Sequence, residues 1–143
     1  MADNKTKPTG ASVAGFIAAV EHPVRRSDAG VIVGMLEEVT SQEPYMWGPT
    51  IIGFGQHHFR HESGREGDTP TIAFSPRKAN LVFYGFSSAP ESEALLEKLG
   101  KFKLGKACLY VNKLVDVDQA VLRELAAVNY RYFATTDKSH VPR

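Results

Sequence analysis

"TIAFSPRKANLVFYGF", residues 71–86, decides the fold. Two runs rich in Ile, Val, Phe and Tyr, 71–75 and 81–86, flank the segment Ser75-Pro76-Arg77-Lys78. Proline fixes φ near −65° at the second position of a type I turn, so strand, turn and strand read as an antiparallel hairpin. Upstream, "IIGFGQHHFR" (51–60) reads as a third strand, and residues 107–111 as a fourth. Two hairpins in succession imply an antiparallel sheet.

Helices flank this β centre. Ser12 is placed to cap a short helix running to Val20, which ends before His22-Pro23. Over 25–39, Ile32, Met35, Leu36 and Val39 recur at i, i+3, i+4 and i+7, the stripe of a core-facing helix. "TSQEPYMWGPT" (40–50) breaks that pattern with prolines and a glycine and reads as a loop. Residues 91–99 form a short helix stopped by Gly100. Asp116 caps a last helix to about Tyr132, with Gln119 in capping-box position and Val121, Leu122, Leu125, Val128 and Tyr132 on its apolar face. The expected class is α+β, an antiparallel sheet of four to five strands packed on helices. One domain spans 11–133, between a flexible arm (1–10) and a flexible tail (134–143).

Composition narrows the function classes. A chain of 143 residues can bury a core without disulfides, and its single cysteine cannot form an internal one, which fits a reducing compartment. A net charge of +1 argues against wholesale nucleic-acid binding. No stretch approaches the roughly 18 apolar residues of a membrane span, and the start, "MADNKTKPTGAS", lacks the apolar run of a signal peptide. The expectation is a cytoplasmic protein without a membrane partner. An exposed sheet edge could pair with a second copy to form a homodimer.

The ordered motifs "YMWGPTIIGFG", "SGREGD", "FSPRK", "KLGKFKLGKACLYVNKL" and "DVD" resemble those of the YdhG-like family, over residues 15–128. That family is a domain of largely unknown function, some of whose members carry a frataxin-like or iron-chaperone label. The resemblance implies a two-layer α+β sandwich related to frataxin, and it implies no particular reaction. Frataxins present an acidic ridge on the first helix and neighbouring strand edge. Here "SVAGFIAAVE" has one acid, Glu21, and the second helix has only Asp28, Glu37 and Glu38. The ridge is missing, so an iron reading rests on histidines.

Three sets of residues are candidates for a site. On an uninterrupted strand His57 and His61 share one face, where two imidazoles can chelate a divalent metal with help from Glu62, Glu66 or Asp68. The bland alternative is a polar strand end. Gly53 and Gly55 strip one strand face of side chains, which marks close approach by a ligand or by packed protein, and Trp47 could wall a groove above them. The cations Arg65, Arg77, Lys78, Lys101, Lys103 and Lys106 cluster in hairpin tips and a glycine-flanked loop, a composition that favours anions. A solvated basic edge is the plainer explanation. Cys108 reads as core, and Asp116 and Asp118 as capping residues rather than a catalytic pair.

The leading expectation is a non-enzymatic binding module with no cofactor, holding an anionic small molecule or a partner's acidic segment on the sheet face and hairpin tips. The alternative is a protein handling iron or another divalent metal through His57 and His61. An enzyme is the third reading, for which the sequence assigns no nucleophile or acid–base pair.

Overall fold

The computed structural model describes residues 11–60, 64, 66–105 and 108–135, with backbone alone at 57–60, 66 and 135. The expected arm (1–10) and residues 136–143 of the expected tail lie outside the described residues.

Capping chemistry sets the first two helices. Helix α1, Val13–Ala18, starts at Ser12, whose Oγ accepts from the Gly15 N–H at 3.0 Å. Helix α2, Pro23–Thr40, starts two residues earlier than its apolar stripe suggests. Pro23 takes the first turn, where a missing N–H costs nothing. His22 acts as the cap, its Nδ1 accepting from the Arg25 N–H at 3.3 Å.

The segment read as a loop after α2 contains an edge strand, β1, Tyr45–Trp47. The strand expected over 51–60 is broken into β2, Ile51–Phe54, and β3, His57–Arg60, and its partner into β4, Glu66–Thr69, and β5, Ile72–Pro76. The register does not slip across the break, since Phe54 faces Ile72 and His57 faces Thr69. Gly55 makes the kink at φ +70°, opposite Thr71, whose N–H reaches the Gly55 carbonyl at 3.4 Å. β5 continues through Pro76, so the turn lies two residues later than expected: the Arg77 N–H donates to the Asn80 carbonyl at 2.9 Å, with Lys78 and Ala79 at the tip. β6, Leu81–Tyr84, follows.

Helix α3 is the short Ser92–Leu96, and the chain then adds β7, Lys103–Leu104, within the run read as an anion-binding loop. β8 is Cys108–Val111. Asp116 ends a 3₁₀ turn, Leu114–Asp116, rather than capping the last helix. That cap is Asp118, whose Oδ1 accepts from the N–H groups of Ala120 and Val121 at 2.9 and 3.3 Å, and helix α4 runs Gln119–Thr135.

Six strands form one antiparallel sheet in the order β1-β2-β5-β6-β8-β7, and β3 with β4 forms a separate ribbon. The class is α+β, with one or two more strands in the sheet than expected. Alternation assigns the faces. Ile52, Phe54, Ile72, Phe74, Phe83 and Leu109 join Ile32, Leu36, Leu122 and Leu125 of α2 and α4 in one buried cluster. The opposite face carries Tyr45, Trp47, Gly53, Ala73, Ser75, Val82, Tyr84, Cys108 and Tyr110, together with Arg77 and Lys103. Cys108 is therefore half-buried on the outer face and outside the core cluster, contrary to its apolar flanks.

Candidate functional site

Arg25 is the pivot of the candidate site. It stands with Ala29, Ile32 and Leu36 at i, i+4, i+7 and i+11, all four buried on the inward stripe of α2. Its Nη1 donates to the Lys78 carbonyl at 2.6 Å, and its Nη2 to the Asn112 carbonyl and Oδ1 at 3.0 and 3.1 Å. The start of α2 is thereby tied to the β5–β6 turn and to the residue after β8. Only 4% of Arg25 is exposed, and its buried Nε has no hydrogen-bond partner. Among the described residues, no carboxylate lies within ion-pair distance of it. Buried charges are normally paired, because burial without a counter-charge is costly.

Arg25 lines an open groove of about 1110 Å³ between the α1–α2 corner and the β5–β6 turn. Phe16, Ala19 and Val20 of the α1 end and Pro76 supply apolar wall. His22, Arg77 and Lys78 join Arg25 on the lining, and among the described residues Glu21 is its one carboxylate. Among the described residues, the groove therefore carries three permanent cations against one acid. The first turn of α2 adds the positive end of an 18-residue helix dipole. Ser75 also lines the groove, but its hydroxyl is spent on the Thr50 carbonyl at 2.6 Å.

Arg77 and Lys78 are thus the two expected cations that share this groove, both exposed. Lys103 lies on the outer sheet face, three strands from Ser75 through Tyr110 and Val82, or about 14 Å at ordinary strand spacing. Lys101 is exposed beside the 3₁₀ turn, where its N–H donates to the Asp116 carbonyl at 3.1 Å. Neither lines the groove. Arg65 and Lys106 lie outside the described residues.

The glycines accommodate the protein's own side chains. A Cβ at Gly53 would sit 3.0 Å from Pro70 and from the Tyr45 ring, and one at Gly55 would meet Thr71 and the Tyr130 ring of α4. Tyr45 crosses this strand to donate its hydroxyl to the Gly55 carbonyl at 2.6 Å. Trp47 is 7% exposed and packs edge-on to Tyr45, so it is a packed side chain rather than an open wall. The floor expected at Gly53 and Gly55 is filled by these contacts.

For the metal reading, the His57 backbone opens β3, while His61 and Glu62 lie outside the described residues. Among the described residues no group of three His, Cys, Asp or Glu side chains gathers into a metal site, and no helix is long and apolar enough to cross a membrane. Three tyrosines on the outer face have raised pKa values, Tyr110 chiefly through its hydrogen bond with the Cys108 side chain. Burial pushes Tyr45 up to about 12. Burial also raises Tyr84, opposed by Arg77, whose guanidinium donates to its hydroxyl at 2.9 Å.

Sequence reasoning missed His22 and Arg25. A signal was present for both: a His-Pro pair opening a helix, and an arginine in register with the buried stripe Ala29, Ile32 and Leu36. Comparison with protein-family models, curated proteins and solved structures finds no match to this chain.

Proposed function

We propose that the chain is a non-enzymatic binding module of the YdhG-like family that holds an anionic small molecule in the groove between the α1–α2 corner and the β5–β6 turn. The observation that carries this reading is Arg25: its buried guanidinium has an unpartnered Nε and, among the described residues, no carboxylate within ion-pair distance, and the residue lines a cation-rich groove. A bound anion would supply the missing counter-charge, and Arg77 and Lys78 at the rim would attract it. Family membership rests on the sequence motifs, and four of the groove residues, Ser75, Pro76, Arg77 and Lys78, fall in "FSPRK".

The experiment is a thermal-unfolding series of the full chain with sodium acetate, sodium hexanoate and inorganic phosphate, each against sodium chloride at equal ionic strength. At 100 times its dissociation constant a ligand adds about 2.7 kcal/mol of stability, which is readily measured. The reading expects at least one anion to stabilise the protein, with the effect lost in Lys78→Glu. Equal stabilisation in wild type and Lys78→Glu would count against this groove.

A further inference from the structure

We infer that the ligand of this groove is a monocarboxylate with an apolar body, an inference that rests on the anion-binding reading above and names its ligand class.

The lining is divided chemically. Phe16, Ala19, Val20 and Pro76 offer carbon, and His22, Arg25, Arg77 and Lys78 offer positive charge. Phe16 and Val20 are half-buried, with part of their apolar surface still in water. A small inorganic anion would use only the charged side. An anion with a hydrocarbon body would also cover the carbon side, and apolar area removed from water is the general driving force for binding.

The charges on the lining favour a carboxylate head over a phosphate. Three of the five N–H groups of the Arg25 guanidinium are spent on oxygens of Lys78 and Asn112 and its Nε is buried, so Arg25 contributes chiefly positive charge. The Nδ1 of His22 accepts from the Arg25 N–H, so the neutral ring carries its proton on Nε2. Glu21 on the same lining repels a second negative charge, which favours a monoanion.

The test is a chemical-shift titration of the full chain with sodium hexanoate, sodium acetate, hexanamide and inorganic phosphate, at constant ionic strength. Hexanoate is expected to bind at least ten-fold more tightly than acetate and than hexanamide, and phosphate no more tightly than acetate. Val20→Ser is expected to weaken hexanoate at least three-fold while leaving acetate unchanged, with circular dichroism confirming the fold. Acetate equal to hexanoate, or phosphate tighter than hexanoate, would overturn the ligand class while anion binding stands. Hexanamide equal to hexanoate would overturn the carboxylate head. Failure of acetate, hexanoate and phosphate all to saturate would overturn both this inference and the anion reading beneath it.

Discussion

The guanidinium of Arg25 donates to the backbone carbonyl of Lys78 at 2.6 Å, joining residues 53 apart in sequence. The same side chain reaches the carbonyl and side chain of Asn112, so one arginine holds the start of a helix against two neighbouring chain segments at one end of the sheet. It also fixes one wall of the groove.

Truncating Arg25 tests that staple. Hydrogen bonds to charged groups are each worth about 1.5–3 kcal/mol, and their losses do not add fully. Arg25→Ala is expected to lower the unfolding free energy by about 3 kcal/mol in urea titrations. Arg25→Lys keeps a charge but loses the planar fork, so its cost should be intermediate. A loss under about 0.5 kcal/mol for Arg25→Ala, the scale of an ordinary surface change, would refute the staple.

Glycines in this chain are expected to respond with opposite signs. Gly30 and Gly34 lie inside α2, face solvent, and have nothing within 4 Å of where a Cβ would stand. Alanine at either should stabilise by about 0.5–1 kcal/mol through helix propensity. Gly100 has φ +121°, and its Cβ would lie 2.5 Å from the Asp116 carbonyl oxygen, which is backbone and cannot swing away. Gly100→Ala should therefore destabilise by more than 1 kcal/mol. Denaturant midpoints of the three variants give the signs, and the same sign at all three would contradict the structure.

How far the sequence reveals the fold follows from where periodicity survives. The α2 stripe and the β5–β6 hairpin are legible because Ile32, Leu36, Phe74 and Phe83 obey their periods and are all fully buried. The turn is misplaced because proline at position 76 suits a turn but is also tolerated at a strand end, where it loses little ladder bonding. β1 is hidden because its three residues sit among prolines and a glycine, and pairing with β2 is tertiary information. The site is half legible. Arg77 and Lys78 announce themselves by charge, while Arg25 gains its meaning only when Lys78 and Asn112 fold back onto it.

Alkaline pH should report on Tyr45. Burial disfavours the phenolate and pushes its phenol up to about 12 in the folded protein, against an ordinary value of 10.0. Between those values the unfolded chain has released a proton that the folded chain retains, so stability falls as pH rises through the window. Tyr84, also raised, contributes with the same sign. Tyr45→Phe should make the fall between pH 10 and pH 12 shallower. It should also cost about 1 kcal/mol near neutrality through the lost bond to the Gly55 carbonyl. An unchanged alkaline slope in this variant would show that Tyr45 does not contribute.

Anion binding in the groove is tested most directly by following the Nε–H resonance of Arg25 in ¹H–¹⁵N spectra of the full chain during titration with sodium hexanoate, against sodium chloride at equal ionic strength. Groove binding predicts a saturable shift of that resonance together with the amides of His22, Arg77 and Lys78, abolished by Lys78→Glu. Saturable shifts confined to the Lys101–Lys103 edge, or no saturable shift at Arg25, would contradict it.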